Sequence, residues 1–385
     1  MNQVDELLTR RVDTIIPSRE ELEKVLHSTK KLKLYMGFDP SKPNLHIGHL
    51  VGLLQLKLFQ NLGHEVIFLI GDFTAMIGDP TDKTAARTKL TRDQVLANAQ
   101  TYKDQAGRIL NFSGKNPVKM KFNSEWPDPL KFADIIELAS NFTVQQMIER
   151  DMFQERIKQE KPIFLHELLY PLMVTYDAIA MNVDLEVGGT DQLFNMMVGR
   201  PLIKHINNKD KFVITTKLLT DSQGTKIGKT TGNAINLFGN PNNLFGQIMS
   251  LPDDTTIPAF NLITTLPLTE IDALQQKLTA MDLKKRLALE IISMCHGPAA
   301  AKTAQSHFEN TFQKQNPGFS TTVPLRENLA GTISSEVGSM SEAKRLIRQG
   351  AVDVSGATIS DPTYKVKVGD NVKIGKKTFV KVIKP

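Results

Sequence analysis

Short apolar runs alternate with amphipathic helical spacing along the first 220 residues. The runs at 34–38, 66–70, 118–122, 185–187 and 212–215 read as strands bounded by turn residues. Helical patterns follow at 46–60, 93–110, 130–139, 165–181 and 191–204. That rhythm predicts an α/β fold with a doubly wound parallel sheet, whose ligands bind beyond the carboxyl ends of the strands. The segment 220–243 is rich in Gly, Thr and Asn and reads as a loop. From 244 to 316 the pattern is helical with no strand, for example at 270–281 and 283–294. A linker candidate covers 315–323, with Asn-Pro-Gly inside it. The tail, 324–385, reads as a small α+β domain: a helix at 341–348 and strands at 352–354, 371–374 and 379–382.

Composition narrows the class. The hydrophobic fraction of 41% and charged fraction of 23% suit a globular chain. No apolar stretch approaches the ~20 residues of a membrane span, and the first residues carry no signal-peptide pattern. A single cysteine, Cys295, excludes an intrachain disulfide and a cysteine-based metal cluster, so a cytoplasmic protein with no membrane partner is expected. The net charge of +6 is concentrated at one end: residues 336–385 hold ten Lys/Arg against five Asp/Glu. A small basic domain of this kind points to a nucleic acid.

Candidate chemistry lies at strand ends. Tyr35-Met-Gly-Phe-Asp-Pro leads through a Pro-rich turn to His46-Ile-Gly-His49, which opens an apolar helix. Helix starts attract phosphate through unpaired N–H groups and the helix dipole, and two imidazoles beside one make a plausible nucleotide grip. Alone, the pair reads more readily as two surface histidines near a cap. Gly224-Thr-Lys-Ile-Gly-Lys-Thr230 lacks one residue between its glycines for a P-loop, and it remains a loop presenting Lys226 and Lys229. At Val187-Gly-Gly-Thr-Asp-Gln192 two glycines permit close backbone approach, and Asp191 reads as a ribose acceptor or as a plain helix cap. Gly78-Asp-Pro-Thr-Asp-Lys-Thr-Ala-Ala-Arg87 is a turn carrying Lys83 and Arg87. Tyr170 and Asp177, two helical turns apart, share a face, and a carboxylate in so apolar a helix needs a partner.

Together these segments resemble the bacterial tyrosyl-tRNA synthetases, which are class I aminoacyl-tRNA synthetases. His46-Ile-Gly-His49 is similar to the first class signature, and Lys226-Ile-Gly-Lys-Thr230 to a looser form of the second. Tyr35-Met-Gly-Phe-Asp-Pro, Ile77-Gly-Asp-Pro, Tyr176-Asp177 and Gly188-Gly-Thr-Asp-Gln192 resemble motifs of the tyrosine enzyme in particular. The tail, with Ser341-Glu-Ala-Lys-Arg-Leu-Ile and Asp361-Pro, is similar to an S-four-type RNA-binding module. The match runs in consistent order from about Val4 to the end.

The resemblance implies a Rossmann-like catalytic domain with a dimer-forming connective region over 1–219, a mobile catalytic loop at 220–243, a helical anticodon-side domain at 244–316 and an RNA-binding domain at 324–385. It implies ATP-dependent attachment of L-tyrosine to tRNA(Tyr) through tyrosyl-adenylate, with Mg²⁺ carried mainly by the ATP phosphates and no resident metal. His46, His49, Lys226, Lys229, Thr230, Lys83 and Arg87 would serve the reacting phosphates. Tyr35 and Asp177 would bind the substrate phenol, with Asp79, Asn123, Tyr170 and Gln192 around its ammonium and carboxylate. Gly37, Asp39, Gly48, Gly189 and Asp191 would join the two histidines and Lys229 at ATP. Lys344, Arg345, Arg348, Lys376 and Lys377 would contact tRNA, and apolar positions in 132–147 are candidates for a homodimer surface. Two departures stand out: Val174 stands where the family usually has glutamine, so either neighbours such as Gln192 take over its hydrogen bonding, which Tyr35 and Asp177 favour, or tyrosine binds more weakly, or the specificity has drifted; and Met36 stands where a small residue or cysteine is usual. The tryptophan enzyme is the nearest alternative, opposed by Tyr35 with Asp177 and by the basic tail. A non-catalytic RNA-binding relative is the second, opposed by both histidines and both loop lysines.

Overall fold

A computed structural model describes residues 2–80, 90–221, 224, 227, 235–313, 321–375 and 378–384. Two compact units divide the chain at Lys302/Thr303. In the first, six strands form one sheet: β1 (Val12–Ile16), β2 (Lys33–Phe38), β3 (Glu65–Ile70), β4 (Lys119–Phe122), β5 (Leu185–Gly189) and β6 (Phe212–Thr216), in the order β1-β6-β5-β2-β3-β4. From β6 to β4 all neighbours are parallel, and β1 lies antiparallel on the edge. The central strands are buried along their length because helices cover the sheet, so Val66 to Ile70 carry no polar residue. The chain moves outward from β2 to β3 and β4, then returns on β2's other side to β5 and β6. The strand order therefore reverses between β2 and β5, which opens a crevice at their carboxyl ends.

The five anticipated strands are present with ends shifted by one or two residues, and the Leu165–Met181 helix has the anticipated bounds. Other elements differ. β1 escaped the sequence reading because Asp13 and Thr14 break its apolar run on an edge strand. The first signature helix starts at His49, not at His46, since residues 46–48 turn to form a bridge between His46 and Asn236. The span 93–110 divides into Arg92–Ala99 and Tyr102–Ala106, and at the break the Thr101 hydroxyl donates to the Pro43 carbonyl at 2.9 Å. The span 191–204 becomes a 3₁₀ turn (Thr190–Gln192) and helices Leu193–Val198 and Arg200–Asn207. Pro201 lacks the N–H that continuity requires, and a Cβ on Gly199 would lie 1.9 Å from Thr175 Oγ1.

Beyond the loop, helices Pro241–Met249, Thr256–Ile263, Leu268–Lys277, Ala280–His296 and Pro298–Phe308 follow, with no strand among the described residues of that span. The anticipated helix at 270–281 stops at Lys277 because Thr279 caps its successor, its side chain accepting from Asp282 N at 3.2 Å. Two buried arginines just after the Gln3–Thr9 helix bind the end of Thr256–Ile263. Arg10 Nε donates to the Asn261 carbonyl at 2.8 Å, and Arg11 Nε to that of Leu262 at 2.9 Å. Terminal helix carbonyls have no partner within the helix, so cations suit them. Burial still lowers the Arg11 pKa to about 10.

The second unit has its own sheet, β7 (Thr321–Pro324), β8 (Val352–Val354), β9 (Ala357–Thr358), β10 (Asn371–Ile374) and β11 (Thr378–Ile383), in the order β7-β11-β10-β8-β9. β7 pairs parallel with β11, so residues 321–323, anticipated as linker, are strand. The Met340–Arg348 helix buries Ala343 and Ile347 against Val323, Val352, Val372 and Val380. Lys344, Arg345 and Arg348 face outward, and Arg345 pairs with Glu342. Lys376 and Lys377 lie outside the described residues. Among the described residues no helix is long and apolar enough to cross a membrane.

Candidate active site

A cleft opens at the β2–β5 switch point, lined by residues from the ends of both strands, the Leu165–Met181 helix and the turn before His49. Tyr35, Gly37 and Asp39 enter from β2 and its continuation, and Glu186, Gly188 and Gly189 from β5. Tyr170, Val174 and Asp177 project from successive turns of one helix face.

Asp177 is 4% exposed and accepts from Trp126 Nε1 at 2.7 Å and Asn123 Nδ2 at 3.2 Å. Burial drives its pKa well above the ordinary carboxylate value, while these two donors pull the other way. The Tyr35 hydroxyl, equally buried, has no well-formed hydrogen bond among the described residues and only a weak one toward Glu186. Burial and the nearby Glu186 and Asp177 carboxylates hold it well above the usual phenol range, so it stays protonated. A weakly engaged donor beside a carboxylate with room for one more bond forms a subsite for a hydroxyl.

A second group surrounds Asp79. Its carboxylate accepts from Arg150 Nη2 at 2.9 Å, Gln192 Nε2 at 2.6 Å and Asn195 Nδ2 at 3.4 Å. Asn195 also donates to Gln192 Oε1 at 2.8 Å. Asp39 is held beside it, accepting from the Tyr170 hydroxyl at 2.9 Å and from Thr74 Oγ1 at 2.7 Å. Among the described residues around Asp79, the Asp39 and Asp79 carboxylates outnumber the one arginine that meets them, which suits a cationic ligand group. Val174 is half-buried and adds only an apolar surface.

His46 and His49 stack with ring centroids 3.8 Å apart. His49 Nδ1 accepts from the His46 N–H at 3.0 Å, and His46 Nδ1 from the Gly48 N–H at 3.2 Å. Both bonds assign the ring proton to Nε2, so each neutral imidazole is an Nε2–H donor. A Cβ at position 48 would sit 3.1 Å from the His46 ring, which is why glycine separates the histidines. At the opposite wall a Cβ on Gly189 would fall 2.5 Å from Asp191 Oδ1.

The cleft thus gathers Tyr35, Gly37, Asp39, His46, Gly48, His49, Asp79, Tyr170, Val174, Asp177, Gly189, Asp191 and Gln192 from the residues expected by sequence. Asn123 stands apart from that wall. It is fully buried behind Asp177, donating to it and to Thr74 and accepting from the Phe73 N–H, so it supports a carboxylate and does not face the cleft. Lys83, Arg87, Lys226, Lys229 and Thr230 lie outside the described residues. The described residues around that second loop meet the site: Ile227 lines the cleft, and Ile235 accepts from the Ile47 N–H at 2.9 Å. Sequence reasoning missed Trp126, Arg150 and Glu186. Two carried a signal: Trp126 is the only tryptophan, and Glu186 is a charge inside an apolar strand.

A family model described as tRNA synthetases class I (W and Y) matches residues 27–313, and one described as S4 domain matches 334–372. Among curated relatives, the tyrosine–tRNA ligase of Moorella thermoacetica is 39% identical, covering 98% of this chain and 94% of its own. That of Dehalococcoides mccartyi strain ATCC BAA-2266 is also 39% identical, over 99% of both chains. Among solved structures, a C-terminally truncated mitochondrial tyrosyl-tRNA synthetase of Aspergillus nidulans aligns with a TM-score of 0.67 at 22% identity, covering 80% of this chain and 94% of its own. The tyrosyl-tRNA synthetase of Archaeoglobus fulgidus complexed with L-tyrosine aligns at 0.62 and 20%, covering 79% and 100%.

Proposed function

The chain belongs to the class I tRNA synthetases of the W and Y family, and from that premise we propose how its cleft divides the work of attaching L-tyrosine to tRNA(Tyr). The reaction is the family's ATP-dependent one. The tyrosine carboxylate displaces pyrophosphate at the α-phosphorus to give tyrosyl-adenylate, and the tRNA's terminal ribose then takes the acyl group. Neither step passes through a covalent enzyme intermediate, so the residues contribute position and charge.

Tyr35 and Asp177 take the phenol: the substrate O–H donates to Asp177, and its oxygen accepts from Tyr35. Asp79, Tyr170 and Gln192 receive the ammonium and carboxylate end, with Gln192 covering for the apolar Val174. Asn123 acts through Asp177. Gly37, Gly48, Gly189, Asp39 and Asp191 admit the nucleotide, and the two Nε2–H groups of His46 and His49 steady the α-phosphate as it becomes five-coordinate. Lys226, Lys229, Thr230, Lys83 and Arg87 meet the leaving pyrophosphate, and Mg²⁺ enters on the ATP oxygens.

Lys344, Arg345, Arg348, Lys376 and Lys377 serve the tRNA backbone, with the helical region 244–316 on the anticodon side. Exposed Phe132, Ile136, Val144 and Leu165 offer the apolar surface for a second copy in a homodimer working in the cytoplasm. The observation carrying this reading is the buried Tyr35 hydroxyl, without a well-formed hydrogen bond and close enough to Asp177 to feel its charge, at the switch-point crevice. ATP–pyrophosphate exchange across all twenty amino acids tests it. Exchange led by tyrosine is expected, and a preference for any other amino acid overturns the assignment.

A further inference from the structure

Glu186 and Lys211 form a buried ion pair beneath the cleft that the division of labour above leaves without a part. Tyr35 and Glu186 are Cα partners on the parallel β2–β5 ladder, so both side chains leave the sheet on the same face. Glu186 is 5% exposed and lines the cleft, while Lys211 is 1% exposed. Lys211 Nζ contacts Glu186 Oε2 and donates to the Met196 carbonyl at 3.1 Å. A buried hydroxyl ordinarily finds an acceptor, and here a carboxylate stands beside it. The Tyr35 hydroxyl nonetheless makes no well-formed hydrogen bond among the described residues, only a weak one toward Glu186.

We propose that Lys211 is a positioning residue for phenol recognition: by holding Glu186 it keeps that carboxylate from fully engaging the Tyr35 O–H, which stays available to the hydroxyl oxygen of bound tyrosine. This rests on the reading of Tyr35 and Asp177 as the phenol subsite. Bound tyrosine satisfies both groups at once, whereas phenylalanine leaves a buried donor and a buried acceptor unpaired, which is how such a site rejects the analogue. Without Lys211, Glu186 closes on Tyr35 in the empty enzyme, and that strengthened bond must break before tyrosine binds. Part of the discrimination is then lost. The Tyr35 donor is remote from the α-phosphorus, so the loss falls on tyrosine KM and leaves kcat nearly unmoved.

The test is the ratio of kcat/KM for tyrosine over phenylalanine in ATP–pyrophosphate exchange by the full chain, with folding checked by circular dichroism. Lys211→Met is expected to lower the ratio about tenfold, while Lys211→Arg, which retains the pair, preserves it. The double variant Glu186→Leu with Lys211→Met removes the competing acceptor together with its guard and is expected to return the ratio to within about threefold of the starting value. Tyr35→Phe separates the two levels of the claim. If it leaves the ratio unchanged, the phenol reading itself fails. If it lowers the ratio and Lys211→Met does not, the role of Lys211 fails alone. Should Lys211→Met not fold, Lys211→Gln takes its place: a ratio lowered about tenfold supports the proposal, and an unchanged ratio overturns it.

Discussion

Val174 shows how one residue can shift a burden to its neighbours. It stands between Tyr170 and Asp177 on the cleft face, where a hydrogen-bonding side chain is expected of the family, and offers only methyl groups. Gln192 already spans Asp79 and Asn195, so it is placed to supply what Val174 lacks. Gln192→Ala is therefore expected to raise tyrosine KM roughly tenfold or more with kcat little changed, and adding Val174→Gln should recover part of that loss in steady-state exchange kinetics. Lys229 belongs to the other half of the reaction. Lys229→Ala should slow adenylate formation by ~10²–10³ in a single-turnover assay while an equilibrium titration finds tyrosine affinity nearly intact. The residues legible in the sequence were those in contiguous motifs, since tight turns and ligand-facing groups impose local spacing. Those that hold them were not legible, because Trp126 lies 51 positions from Asp177 and Arg150 lies 71 from Asp79. Such pairings arise only on folding.

The Leu165–Met181 helix carries three cleft residues on one face, so its anchorage sets their aim. Its first turn is fixed by Glu167, which takes two hydrogen bonds from Arg156, at 2.7 and 2.8 Å, and one from the Phe164 N–H at 2.9 Å. Glu167 and Arg156 are 3% and 1% exposed. Burial pushes the Glu167 carboxyl up, but the Arg156 and Phe164 hydrogen bonds outweigh it and leave the pKa below the ordinary 4.5. A carboxyl more acidic in the folded chain than in the unfolded one stabilises the fold above pH 4.5 and loses that contribution as pH falls through its folded value. Glu167→Gln leaves Arg156 buried without a counter-charge, so it is expected to cost about 3 kcal/mol near neutral pH. Urea denaturation at pH 7 and again below pH 4 checks this, because the gap between variant and parent should narrow in acid. The helix was readable from its apolar spacing and length. The capping pair was not, since Arg156 belongs to the preceding helix and returns through the turn at Pro162.

At the scale of the whole chain, the first sheet was legible because parallel strands buried on both faces leave uninterrupted apolar runs, as Val66 to Ile70 do. β1 and β7 were hidden because short strands with charged or hydroxyl residues look like loops until they pair. β7 matters for dissecting the molecule, since its pairing with β11 means that a cut at Pro324 removes the other four strands of the second sheet and leaves β7 without its partner. Truncation should therefore remove residues 314–385, leaving the first unit, with every cleft residue named above, whole. The truncated chain is expected to keep tyrosine-dependent pyrophosphate exchange within about threefold, because adenylate formation draws on the first unit alone. Charging of tRNA should fall by at least ~10²-fold, because the deleted segment holds most of the chain's excess positive charge and phosphate contacts dominate such affinities. In the full chain the same contacts make tRNA binding steeply salt-dependent, so a filter-binding series from 50 to about 200 mM salt should show a slope that the truncation flattens. Undiminished charging by the truncated chain, or equal salt slopes for both, would mean that the tRNA is gripped elsewhere and that the basic tail serves another polyanion.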